Sequence, residues 1–75
     1  MTPLQLKLAR TALNLSIRDL AKIADVAPST IMRFESGTGG TQRRTLDHIQ
    51  GVLEERGVMF IDADNTGGPS VRLKA

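Results

Sequence analysis

Residues 16–37 constrain the fold most, because they combine two short apolar patterns with a turn that admits few alternatives. Ser16, with Asp19 three residues later, has the spacing of a capping box, so a helix is predicted to begin directly after Ser16. It is predicted to end near Asp25, a residue type that tolerates left-handed geometry. Pro28 fits only the first turn of a following helix. The stretch therefore predicts two helices joined by a sharp turn.

Apolar residues within this stretch recur at spacings of three and four, which stacks them on one face of each helix. These positions are Leu20, Ala21, Ala24, Val26, Ile31 and Phe34. Small residues fall where the two helices must touch. The pattern therefore predicts that the helices pack against each other and leave the opposite face of the second helix in solvent.

Another helix is predicted before this stretch. Thr2 can cap it, Pro3 suits its first position, and Gln5 completes a capping box. Asn14 is predicted to end the helix in left-handed or turn geometry. One apolar row contains Leu6, Ala9 and Leu13, and a second contains Leu4, Leu8, Ala12 and Leu15. The helix should lie against residues 16–37, with part of the second row free to face a partner.

Three glycines in residues 37–40 predict a flexible connector after the second motif helix. The connector differs from a phosphate-binding loop, because the required lysine and preceding strand are absent. Thr41 or Thr45 is predicted to cap a fourth helix, which Gly57 ends. The apolar residues of that helix are Leu46, Ile49, Val52 and Leu53, and they should close the core.

From residue 58 the apolar pattern changes to a period of two. The segments VMFID and SVRLK flank ADNTGGP, a dense cluster of turn residues, and so predict a β-hairpin over residues 58–75. One face should carry Val58, Phe60, Val71 and Leu73, and the other Met59 and Ile61 with Arg72 or Lys74. A lone hairpin is marginal in water and leaves open edges, so a second copy is predicted to cover it. The chain thus divides into residues 1–57 and 58–75.

Composition limits the function classes. The chain has 75 residues and no cysteine, so it is one small domain without disulfides or thiolate metal sites, and a dimer is plausible. Without a signal-peptide pattern or a long apolar run, it is expected in the cytoplasm, away from membranes. The single His48 and scattered acids provide no catalytic or metal set, and Asp62, Asp64 and Asn65 are better explained by turn formation than by calcium. No enzyme, cofactor or small-molecule ligand is predicted.

Charge is distributed unevenly along the chain. Residues 1–44 contain seven Lys or Arg and three acids, for a net charge of +4, whereas residues 45–75 have a net charge of −2. The basic part is the part that contains the two-helix stretch. A surface that faces phosphates requires such a concentration of positive charge. A solvated surface of mixed charge would show a similar ratio of basic to acidic residues.

The residues of the two-helix stretch resemble the phage-repressor-like (Cro/C1, or XRE) helix-turn-helix regulators over roughly the first fifty positions. The matching positions are Arg10, Leu20, Ala21, Ala24, Val26, Ile31, Phe34, Glu35 and Gly37. Asp25 departs from the family's usual turn glycine, and Ile17 replaces a polar residue that can bond phosphate. The resemblance implies a mainly α protein, with a four-helix lambda-repressor-like domain followed by the hairpin. It also implies an ion pair between Arg10 and Glu35.

The same resemblance implies a function: sequence-specific binding of double-stranded DNA by a homodimeric transcriptional regulator or repressor. Base edges would be read by Ala27, Pro28, Ser29 and Arg33, and phosphates touched by Thr30, Arg43 and Arg44, with Arg18 and Gln42 completing the DNA-binding set. The dimer interface is predicted at Met59, Phe60, Ile61, Val71 and Leu73, with the first helix as the main competitor. The alternative function is a helix-turn-helix interaction module, such as an antiactivator or antitoxin, that no longer binds DNA.

Overall fold

The computed structural model describes residues 1–74 and contains four helices followed by a two-stranded antiparallel hairpin. In chain order the elements are α1 (Pro3–Ala12), α2 (Ile17–Ala24), α3 (Pro28–Glu35), α4 (Arg43–Glu55), β1 (Val58–Ile61) and β2 (Ser70–Leu73). The predicted mainly helical fold with a C-terminal hairpin is confirmed. Ala75, the last residue of the predicted hairpin segment, lies outside the described residues.

Both predicted capping boxes are present. The Thr2 hydroxyl accepts a hydrogen bond from the Gln5 backbone N–H at 3.1 Å, and the Thr2 N–H donates to Gln5 Oε1 at 2.9 Å. At α2 the hydroxyl of Ser16 accepts from the Asp19 N–H at 3.0 Å, and the Ser16 N–H donates to Asp19 Oδ2 at the same distance. The Ser16 N–H that donates to the Asp19 carboxylate lowers the pKa of this group, and hydrogen bonding by the Ser16 hydroxyl to the carboxylate lowers it further. These local bonds satisfy amide groups that a helix start leaves unpaired.

The first three helices end in the same way, with one residue in the left-handed region. These residues are Asn14 (φ 59°), Asp25 (φ 56°) and Gly37 (φ 76°). After α2, the N–H of Val26 returns to the carbonyl of Ala21 at 3.0 Å, which is the long bond of a Schellman motif. Asp25 therefore performs the role for which the family usually uses glycine, because a short polar side chain tolerates this geometry.

Helices α3 and α4 begin without side-chain caps. Pro28 occupies the first position of α3, as predicted, after Ala27. The prediction that Thr41 or Thr45 caps α4 is wrong, because Gln42 is the capping residue and its side chain makes no cap bond. Thr41 precedes the extended residue at which the chain enters the helix, and Thr45 already lies inside the first turn. Both threonines are instead available to the surface beside α3.

A single core joins the four helices to the first strand. Its buried apolar members are Leu6, Ala9, Leu20, Ala21, Ala24, Ile31, Ile49, Leu53 and Val58. The first predicted row supplies the buried residues Leu6 and Ala9, whereas Leu4 and Leu8 of the second row are exposed. Leu13 and Leu15, one from each row, are partly buried against the core. Helix α1 packs against α3 and helix α4 packs against α2, so each helix of the motif is supported by a helix outside it.

The two strands of the hairpin keep the predicted faces. Val58 is opposite Leu73 and Phe60 is opposite Val71, so these four side chains share one face of the hairpin. The Val58 side of that face lies in the core, while Met59 on the opposite face is 42% exposed. The Val58 side of this face therefore covers the helices, whereas Leu73 on the same face is 45% exposed.

The side chain of Gln5 links α1 to the hairpin through hydrogen bonds, a role that the sequence did not indicate. This side chain is buried, and its Nε2 donates to the carbonyl oxygens of Ile61 at 2.9 Å and Ser70 at 3.1 Å. The same side chain completes the capping box with Thr2 through Oε1. A buried amide with its donors and acceptor satisfied ties the start of α1 to the last pair of the hairpin.

The hairpin turn has ordinary turn chemistry, as predicted. Asp64 Oδ1 accepts from the Thr66 hydroxyl at 2.7 Å, from the Thr66 N–H at 2.8 Å and from the Gly67 N–H at 3.1 Å. The hydrogen bond from the Thr66 side chain, followed by that from its backbone, lowers the pKa of Asp64. The carboxylate oxygen is thus engaged by its own turn.

Candidate nucleic-acid interface

Helix α3 has one face in the core and one in solvent. Ile31 is fully buried, and Phe34 and Glu35 are partly buried on the same side. Ser29 and Arg33 are exposed on the opposite side, where the sequence placed them. Ala21 and Ala24 of α2 are buried in the same core as Ile31, so α3 packs with one face against the core and keeps its outer face in solvent.

The sequence missed one residue of this outer face. Met32 was given no role, yet its side chain is 56% exposed and follows Ile31 by one step of the helix. A helix turns about 100° per residue, so Met32 lies more than a quarter of a turn away from the buried Ile31. The sequence therefore already indicated that Met32 is exposed, because it does not belong to the apolar residues at spacings of three and four that define the core face.

An open groove of about 330 Å³ runs between α3 and the beginning of α4. Its lining residues are Val26, Ala27, Thr30, Arg33, Gly40, Thr41, Gln42 and Thr45. The groove brings together four residues of the predicted DNA-binding set, namely Ala27, Thr30, Arg33 and Gln42. It also includes Thr41 and Thr45, which the sequence had assigned to helix capping.

The remaining residues of the predicted set lie outside this groove lining. Arg18, Pro28, Ser29, Arg43 and Arg44 are all exposed, whereas Thr30 in the groove is partly buried. Arg43 Nε lies 3.3 Å from Asp47 Oδ1, but the two side chains are 86% and 63% exposed. An exposed pair of this kind contributes little free energy, so Arg43 can exchange Asp47 for another anion.

His48 links α4 to the end of α2. Its Nε2 lies 2.8 Å from the carbonyl oxygen of Ala24, and because a carbonyl only accepts, Nε2 is the donor. The Schellman motif after α2 uses the carbonyls of Ala21 and Lys22 and leaves that of Ala24 free for this bond. The sequence predicted only a surface or boundary position for His48. The bond connects α4 to the C-terminal end of α2, directly before the turn into α3.

The predicted pair of Arg10 and Glu35 is present and anchors the C-terminal end of α3. Arg10 Nε lies 2.8 Å from Glu35 Oε2, and Arg10 Nη2 lies 3.0 Å from Glu35 Oε1. A third donor, Nη1, reaches the Leu15 carbonyl at 3.0 Å. The side chains of Arg10 and Glu35 are only 17% and 10% exposed, and the hydrogen bonds to Glu35 raise the pKa of Arg10. The forked geometry fixes the C-terminal end of α3 against α1.

Comparison with known proteins agrees with this arrangement. A family model described as helix-turn-helix matches residues 6–50, from within α1 to within α4. The match includes the groove and both helices of the turn, and it excludes the hairpin. No curated protein matches the sequence. None of the helices in residues 1–74 combines the length and hydropathy needed to cross a bilayer.

Proposed function

The chain belongs to the Cro/C1-type (XRE) helix-turn-helix family of DNA-binding regulators, and we propose that it is a transcriptional regulator that binds a pseudo-palindromic operator as a homodimer. The observation that carries this proposal is the exposed outer face of α3, next to a groove whose other wall is the start of α4. An exposed helix of this kind fits the major groove of duplex DNA, and each subunit would place α3 in one half-site.

The side chains near α3 divide into two proposed roles. Arg33 is the strongest candidate for base readout, because its fork matches the two acceptors on the edge of guanine. Ala27 offers only a methyl group and Pro28 has no N–H, so DNA shape would supplement direct readout. Phosphate contacts are proposed for Arg18, Thr30, Gln42, Arg43 and Arg44. These contacts would set the register of the protein on the duplex without reading sequence.

A salt titration tests DNA binding. Affinity of the full-length protein for a random duplex should fall linearly on a logarithmic scale as salt rises, because bound arginines displace counterions from phosphates. If Arg43 and Arg44 of both subunits each meet a phosphate, the slope should be about −3.6 or steeper. Fluorescence anisotropy with a labelled duplex measures it. A slope near zero, or no binding at low salt, would contradict the proposal.

A second candidate function is a helix-turn-helix interaction module, such as an antiactivator or antitoxin. The exposed apolar side chains on α1 and the hairpin favour it, since Leu4, Leu8, Met59 and Leu73 are all accessible. Such residues are common singly on monomer surfaces, whereas four on neighbouring elements are more typical of a protein contact. This function becomes the better explanation if the salt titration detects no DNA binding.

The proposed homodimer uses the hairpin, at Met59, Phe60, Ile61, Val71 and Leu73. Three observations support this choice: the hairpin lies outside the family match, Met59 and Leu73 are exposed, and a two-stranded sheet has open edges. The exposed side of α1, with Leu4 and Leu8, is the competing interface. Truncation after residue 57 would be a poor test, because it removes Val58 from the core.

Point substitution distinguishes the two interfaces. Met59→Lys should weaken the dimer by about 30-fold or more, because an unpaired charge at an interface costs about 2 kcal/mol or more. Leu8→Lys is the matched control and should leave the dimer unchanged. Sedimentation equilibrium at tens of micromolar reports both. A monomeric wild-type protein would contradict the homodimer, and loss of the dimer in Leu8→Lys alone would assign the interface to α1.

A further inference from the structure

Met32 is the long apolar side chain on the outer face of α3. The core side of this helix is defined by Ile31, and Met32 follows it by about 100° of rotation. Ser29 and Arg33 are each two residues from Ile31, so the same rotation places both on the outer side of α3. Viewed down the helix axis, Ser29 lies between Met32 and Arg33. Both long side chains thus flank a short one on the face that the proposed function places in the major groove.

More than half of Met32 is exposed to solvent. Ser29 lies three residues before Met32 and Ser36 four residues after it, so both are its neighbours on the helix surface. Both side chains are short and exposed. Met32 is not among the apolar residues that pack against the core, and it is more exposed than the other large apolar side chains that reach the surface. Folding therefore does not account for a large apolar residue at this position.

We infer that Met32 is a specificity-determining residue that packs against the C5-methyl group of a thymine, next to the base read by Arg33. This inference rests on the proposed function. Within the major groove, thymine is the one base that presents a methyl group, so an apolar side chain there distinguishes it from the other three. The Met side chain is long and flexible enough to follow the methyl group, whereas Ala27 and Ser29 have little reach.

Removal of the methyl group alone provides a direct test. An operator is first selected from a random duplex library with the full-length protein, and each thymine is then replaced singly by deoxyuracil in both half-sites. At one position per half-site, this change should weaken wild-type binding by about fourfold per half-site, equivalent to exposing about one methylene group. Met32→Ala should bind the thymine and deoxyuracil operators equally at that position.

Two control variants make the result specific to Met32. Met32→Leu keeps an apolar side chain and should retain part of the discrimination. Glu55→Ala changes an exposed residue at the end of α4, outside the proposed DNA and dimer contacts, and should discriminate like the wild type. If Met32→Ala still discriminates, or if the wild type never does, the inference is overturned while the proposed function stands. If the wild type selects no sequence at all, the proposed function fails and the inference fails with it.

Discussion

Glu35→Ala is expected to lower the free energy of unfolding by about 2–4 kcal/mol, because it leaves the guanidinium of Arg10 largely buried without its counter-charge. Arg10 and Glu35 are joined by two hydrogen bonds of 2.8 and 3.0 Å, and both side chains are mostly excluded from solvent. The Leu15 carbonyl would still accept one Arg10 bond, but it supplies no negative charge. Urea denaturation followed by circular dichroism measures the loss.

The exposed ion pair of α4 provides the matched control. Asp47→Ala removes the partner of Arg43 and should cost less than about 0.5 kcal/mol, because water already solvates both groups. A combined Arg10→Met and Glu35→Leu variant should recover part of the stability lost in Glu35→Ala, since neither charge then remains unpaired. A loss of less than about half a kcal/mol in Glu35→Ala would show that the pair does not stabilise the fold.

Arg33→Ala should weaken binding to the best operator by about 1–3 kcal/mol per half-site and relax the preference at one base position. The reason is that Arg33 is exposed on the outer face of α3, where its fork can meet a guanine edge in each half-site. Random duplex DNA should lose much less affinity. Competition binding with operators varied at single positions measures both effects.

Arg43→Ala should behave differently. Arg43 lies at the start of α4 and is held only by an exposed pair with Asp47, so we expect it to contact the DNA backbone. The substitution should weaken specific and random duplexes alike and reduce the salt slope by about one unit per subunit. Unequal effects on operators that differ only in uncontacted central base pairs would instead indicate insertion into a narrow minor groove. If neither arginine affects any duplex, the DNA-binding proposal is wrong.

Much of the candidate site could be predicted because its supports are local. The start of α2 depends on Ser16 and Asp19, three residues apart, and its end depends on Asp25. Such bonds form within one or two turns of chain, so their geometry follows from spacing alone. The Arg10 and Glu35 pair is different, because these residues are 25 positions apart. It was predicted through family resemblance and not from spacing.

Other features depended on how the elements pack. The start of α4 is set where the chain leaves the glycine loop, so Gln42 and neither threonine became the capping residue. Residue type alone suggests a core position for Met32, whereas its spacing from Ile31 and its 56% exposure place it on the outer face. Its proposed role in reading thymine therefore could not be assigned from residue type.

The sequence by itself determined the helices, the capping boxes of α1 and α2, the left-handed turns and the faces of the hairpin, because each depends on residues close in the chain or on simple alternation. The tertiary structure alone decided which distant polar groups meet: Gln5 with the hairpin carbonyls, and His48 with the carbonyl of Ala24. Such contacts require helices to be placed to within a fraction of an ångström, and apolar periodicity specifies which faces are buried without specifying that placement.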